Sequence, residues 1–206
     1  MKLITRIISV LLFSCLIACV SGSRRTVYPR STVALNKTIY IDSEFEIGKR
    51  NYIIEAIKNW NCSTNNIVNY KIQTDFKIEY AQFIDPEKSI IVVKTTDKNP
   101  IIKNVEDQIR EESQDDGSTL SIVGLFHEKE GYPKIIYMVD NNLSYYEYGV
   151  VFLHEEGHLN GLDHPDTTDS IMYFRMDKAS DTLTQNDLEQ FCEIYKCDAS
   201  KMKVCK

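Results

Sequence analysis

Histidine is scarce in this chain, with four residues in 206. Positive charge is short as well: 24 Lys and Arg stand against 30 Asp and Glu, a formal charge of −6. A phosphate backbone is held by a basic surface, so a nucleic-acid partner is not expected. No internal repeat and no sign of a second domain appear. No apolar run reaches the roughly 20 residues that a membrane-spanning helix needs. The cysteine spacing is not that of a cysteine-ligated zinc site. What remains is the profile of one soluble globular domain, 43% hydrophobic and 26% charged, long enough to bury a core.

The N-terminal residues stand apart from that domain. Lys2 and Arg6 precede an apolar run, Ile7 to Ile17. A positive start followed by a short apolar stretch reads as a signal peptide. The run ends in Leu16-Ile17-Ala18-Cys19, which resembles the lipobox of bacterial lipoproteins. That resemblance implies cleavage after residue 18, lipid on Cys19, and export to the outer side of a bacterial membrane, periplasmic or cell-surface. The alternative is an ordinary secretory signal that contains a cysteine, and a secreted protein. Residues 19–35 are polar and irregular and suit a tether. Residues 36–206 are left as the folded domain, expected as a monomer.

Four cysteines lie in that domain: Cys62, Cys192, Cys197 and Cys205. Export makes disulfides expected, and four cysteines allow three pairings. Cys62–Cys192 with Cys197–Cys205 is preferred, because the second pair closes a short loop in the tail.

Periodicity places the elements. Thr38 to Ile41 alternates as a first strand. Ile53, Ala56, Ile57 and Trp60 fall at i, i+3, i+4 and i+7, the stripe of a helix on a sheet. Asn69 to Phe83 alternates as one long strand or a hairpin, and Ser89 to Thr95, which contains Ile90, Ile91, Val92 and Val93, reads as a buried strand. Asn99-Pro100 starts a helix carrying Ile102, Val105 and Ile109. Gln114 to Gly117 is a turn, and calcium binding there is left open. Leu120 to Phe126 and Ile135 to Val139 are two further strands, joined through Gly131-Tyr132-Pro133. Ser144 and Glu147 form a capping box with Leu143 and Tyr148 as its staple, so a helix runs from Ser144 to about Asn160. Thr184 caps a last helix with Asp187 at its third position, whose buried face is Leu188, Phe191, Cys192 and Tyr195.

Three of the four histidines fall in one stretch, His154-Glu155-Glu156-Gly157-His158-Leu159-Asn160-Gly161-Leu162-Asp163-His164. His154 and His158 are one turn apart and can share one ion. Glu155 lies beside that face. Gly161 takes a positive φ and ends the helix, and His164 returns from outside it. Three imidazoles leave one position of a tetrahedral zinc for water, as catalytic sites do.

This stretch resembles the H-E-x-x-H-x-x-G-x-x-H signature of the metzincin metallopeptidases, and Ser170-Ile171-Met172-Tyr173 resembles their methionine turn. Among metzincins the combination is most similar to the matrixins. The resemblance runs from about Val150 to Tyr195. It implies an α+β, metzincin-like fold: a twisted mixed sheet, two helices on the N-terminal side, an active-site helix, the methionine turn and a C-terminal helix. It implies one catalytic Zn2+ held by His154, His158 and His164, with Glu155 as the base, and a protein or peptide substrate. Met172 would floor the histidines without ligating. Phe174, Arg175 and Met176 would wall the pocket for the residue after the cut bond, and Tyr173, one residue after the methionine, would pack. The strand at Leu120 to Phe126 would pair with extended substrate. Glu156 and Asn160 occupy positions that are commonly apolar in matrixins. His127 does not belong to the signature, and neither the second structural zinc of mammalian matrixins nor a cysteine-switch propeptide is expected. The sequence thus predicts a zinc endopeptidase. The competing reading is a catalytically silent surface lipoprotein, an adhesin or zinc-binding module, against which the intact Glu155 argues.

Overall fold

The structure is a computed structural model that describes residues 16–17, 35–112, 120–140, 143–175 and 178–205. Cys19, almost all of the predicted leader and tether, the turn from Gln114 to Gly117, and Met176 lie outside the described residues.

Five strands form one mixed sheet: β1 (Thr38–Asp42), β2 (Lys71–Phe76), β3 (Ser89–Thr95), β4 (Gly124–His127) and β5 (Lys134–Val139). Their order across the sheet is β2-β1-β3-β5-β4. The first four positions in that order run parallel, and β4 closes the edge antiparallel to β5. A two-residue parallel ladder pairs Leu16–Ile17 with Leu120–Ser121, apart from the main sheet. Four helices pack around it: α1 (Ile47–Ser63), α2 (Pro100–Glu112), α3 (Tyr145–Leu159) and α4 (Gln185–Tyr195). This is the expected α+β class.

Both faces of the sheet are covered at its centre, which is why Ile90 to Val93 reads as an unbroken apolar run. Ile136 and Met138 of β5 belong to the core shared with α1 and α3. Tyr137 and Val139, between and beyond them, belong to a second cluster with Ile102 of α2, Ile122 and Leu125. Side chains alternate across a strand, so neighbours on β5 serve opposite layers. α1 buries its predicted stripe of Ile53, Ala56, Ile57 and Trp60. Each large side chain there contributes about 1.5–3 kcal/mol by leaving water. Trp60 also donates its indole N–H to the Leu153 carbonyl at 3.1 Å, tying α1 to α3. At the other end of α1, Lys49 reaches Asp140 at 2.5 Å, and Lys94 of β3 meets the same carboxylate at 3.2 Å. The hydrogen bond from Lys49, with Lys94 beside it, holds the Asp140 carboxyl below its usual range.

Two expectations are corrected. Asn69 to Phe83 is neither one long strand nor a hairpin. β2 stops at Phe76, and Ile78–Phe83 forms a 3-10 helix. β2 lies parallel to β1, the strand before α1, so no antiparallel return follows it. The disulfides are Cys62–Cys205 and Cys192–Cys197, not Cys62–Cys192 and Cys197–Cys205. The tail comes back to α1, where Asn59 Nδ2 donates to the Cys205 carbonyl at 2.8 Å and Cys205 N–H donates to Ser63 Oγ at 2.9 Å. At the end of α4, Lys196 adopts a left-handed cap with φ 55°, and Cys197 N–H returns to the Cys192 carbonyl at 3.1 Å. That reversal brings Cys197 to Cys192 and leaves Cys62 to the tail.

No helix among the described residues is long and apolar enough to cross a membrane.

Candidate metal centre

α3 starts as the sequence predicts. Ser144 caps it in a full capping box with Glu147, and Asn160 closes it. Gly161 then takes φ 91°, a left-handed conformation that glycine adopts without steric cost. The chain turns there and carries His164 back towards the helix.

The three imidazoles converge. His154 Nε2 lies 3.1 Å from His158 Nε2 and 3.2 Å from His164 Nε2, and the last two are 3.1 Å apart. Nδ1 of His154 is 2.7 Å from the Ile171 carbonyl, and Nδ1 of His158 is 2.9 Å from the Leu162 carbonyl. A carbonyl only accepts, so both Nδ1 atoms carry the proton and both Nε2 atoms present a lone pair. Lone pairs facing one another at this distance repel unless a cation sits among them. Tetrahedral zinc with Zn–N near 2.0–2.1 Å sets its nitrogens about 3.3 Å apart, close to the triangle found. The donor set therefore fits a zinc ion, and it is the one cluster of that kind among the described residues. Burial first, and His164 second, hold His154 down to about 3, while burial also lowers His164. Burial thus favours neutral rings at His154 and His164, the form metal binding requires.

Glu155, one residue from His154, is buried. Its Oε2 accepts the Phe126 N–H of β4 at 2.8 Å, which fixes the carboxylate against the edge strand. Gly124 makes this approach possible. A Cβ there would lie 2.8 Å from Glu155 Oε1 and 2.7 Å from Val151 Cγ1.

Met172 is fully buried beneath α3, and Gly157 is the reason it can be. A Cβ on Gly157 would stand 2.2 Å from Met172 Sδ. A mid-helix glycine costs about 1 kcal/mol against alanine, so this one is retained against its own helix propensity. Gly157→Ala should lower the thermal midpoint and weaken zinc binding together, overpacking by a methyl costing about 1–3 kcal/mol. Calorimetry and a zinc titration check this. A variant that melts higher and binds zinc equally well would show that helix propensity alone governs the position.

The turn under the histidines is clamped from α4. Asp187, fully buried, accepts from the Ser170 hydroxyl and from Ile171 N–H at 3.2 Å, and also from Thr184 N–H at 2.8 Å. Because the Ile171 carbonyl holds His154, Asp187 acts on the imidazole through one residue, Ile171. The sequence marks Asp187 only as a capping residue. Its second duty needs the turn to be in place.

Phe174 is 42% exposed and lies against Tyr173, ring centroids 4.8 Å apart, while Arg175 is half-buried. His127 sits at the end of β4 near Tyr137 and joins no ligand cluster. Glu156 and Asn160 are both buried. Glu156 is about 200° round the helix from His154, so its side chain leaves the histidine face. Neither of its carboxylate oxygens has a hydrogen-bond partner among the described residues, and burial pushes its carboxyl well up. Asn160 accepts from the Tyr70 hydroxyl at 2.7 Å.

Among the solved structures that match are a peptidase and a metalloproteinase, both of low similarity. One is a zinc-dependent peptidase from Methanocorpusculum labreanum, at 13% identity and TM-score 0.44, covering 75% of this chain and 98% of that one. The other is metalloproteinase-II from Bacteroides fragilis, at 13% identity and TM-score 0.47, covering 89% of this chain and 57% of that one. No curated protein matches the sequence. The family model of Peptidase M10, matrixin, matches residues 54–196, from inside α1 to the end of α4, and the chain belongs to the matrixin family.

Proposed function

We propose that the protein is a zinc endopeptidase acting on proteins or peptides outside the cytoplasm. The observation that carries this reading is the convergence of three Nε2 atoms, with the buried Glu155 one residue from the first ligand. His154, His158 and His164 would hold one zinc, which supplies Lewis acidity and a water acidified to a pKa of about 7. The chain's own residues do the rest. The Ile171 and Leu162 carbonyls hold His154 and His158 in the tautomer that offers Nε2. The Phe126 amide draws electron density at Oε2 of Glu155, so Oε1 is the atom that takes a proton from the attacking water and returns it to the leaving amine. Met172 would floor the histidines from below, and Phe174 and Arg175 would help to wall the pocket for the residue after the cut bond. Residues 1–18 would be removed, and Cys19 would carry lipid that holds residues 36–206 to a bacterial membrane through the tether.

The test is cleavage of a peptide library by zinc-loaded protein. Removing the metal with a chelator should abolish cleavage, and adding zinc back should restore it. Zinc bound at one ion per chain with no peptide cut would instead favour a binding module.

A further inference from the structure

The outward groups of the edge strand β4 and the residues before it follow from its register. Val139 N–H donates to the Val123 carbonyl at 2.9 Å, and Leu125 stands opposite Tyr137 in the antiparallel pair of β4 and β5. Hydrogen-bonded and non-bonded pairs alternate in such a ladder. Val123, Leu125 and His127 therefore turn their backbone groups to β5. Ile122, Gly124 and Phe126 turn theirs outward, where an added strand would find them.

Two of those three outward N–H groups are held by carboxylates of the chain itself. Phe126 N–H is held by Glu155 at 2.8 Å, and Ile122 N–H by Glu106 Oε1 at 3.2 Å. Glu106 comes from α2, a helix outside the stretch on which the matrixin resemblance was read. It is placed by packing: Ile102 and Val105 of α2 sit in one cluster with Ile122 and Leu125. Glu106 is half-buried, and no lysine or arginine among the described residues pairs with it. Among the described residues, a negative charge without an ion-pair partner thus stands at the end of the edge.

An extended peptide added to this edge gains a rung wherever its carbonyl accepts an outward N–H. At Ile122 a carboxylate already fills the acceptor's place, so a peptide carbonyl must displace it, whereas a cationic side chain is attracted by it. Ile122 is four residues from Phe126, about 13 Å at about 3.3 Å per strand residue. We propose that Glu106 determines specificity: it ends backbone pairing at Gly124 and selects a lysine or arginine about four residues to one side of the cut bond. This rests on the peptidase reading above.

The probes are peptides with one common cleavable core, carrying Lys or Glu at the third to fifth residue on either flank. With the zinc-loaded full chain, the Lys peptide of one flank should be cut about tenfold faster than its Glu counterpart at low salt, and the ratio should shrink as salt rises. Glu106→Gln keeps an acceptor for the Ile122 amide but drops the charge, so the ratio should fall towards one. An equal ratio in both proteins, or none in either, overturns the proposal. Fluorescence anisotropy with Glu155→Gln reads the same preference without turnover. Cleavage without charge preference sinks the role of Glu106 and spares the peptidase reading. Charge-selective binding lost in Glu106→Gln, with no peptide cut, does the reverse.

Discussion

Glu155→Ala should leave a folded, zinc-binding protein whose rate of peptide cleavage falls by about 10²–10⁴-fold, the range of a positioned general base. The carboxylate is buried and has an internal partner, so the change also has a structural cost. Phe126 N–H loses its charged acceptor at 2.8 Å, an interaction of about 1.5–3 kcal/mol. Glu155→Gln separates the two effects. The amide oxygen still accepts from Phe126, so much of the stability should return, but an amide takes no proton and the rate should not recover. Zinc stoichiometry and circular dichroism control for the fold in both variants. A Glu155→Gln protein that cleaves within threefold of the parent would remove Glu155 from the chemistry, however well the metal is held.

What could be read from the sequence is what four to eight neighbouring residues decide among themselves. The two capping boxes, at Ser144 and Thr184, close within one turn and are found with their partners. The stripe of α1 and the positive φ at Gly161 are equally local. The histidine triangle was legible because its spacing encodes one helical turn followed by a reversal. The two glycines that make room for the site were not. Gly157 matters because of Met172, and Gly124 because of Glu155, contacts made between separate elements. Asp187 was legible as a cap and illegible as a clamp for the same reason. Asn69 to Phe83 misled because alternation marks an extended chain and says nothing about which strand it joins. Glu156 carried a correct signal, an acid where an apolar side chain is common, and the structure gives it no compensating partner among the described residues. Its retention there has no physical account in the contacts of α3.

Opening the Cys62–Cys205 disulfide should be the most damaging change to stability that leaves the metal ligands untouched. The bond closes a loop over a sequence separation of 143 residues, and Cys192–Cys197 one of 5. A cross-link acts chiefly by restricting the unfolded chain, and the restriction grows with the logarithm of the loop. The chain-entropy relation gives about 5 kcal/mol for the long loop and about 2 kcal/mol for the short one. Against a total of about 5–15 kcal/mol for a native domain, the first figure is a large share. Cys62→Ala with Cys205→Ala removes the bond without leaving a free thiol, and should lower the urea midpoint about twice as far as Cys192→Ala with Cys197→Ala. The tail adds to the asymmetry, because Cys205 also bonds Asn59 and Ser63 through its backbone, and those contacts lose their anchor when the bond is gone. Peptide mapping of the oxidised protein fixes the pairing first. A tryptic fragment joining Cys62 to Cys192 would contradict the fold at the point where α1 meets the tail, and equal losses from the two double variants would show that loop length does not govern this domain's stability.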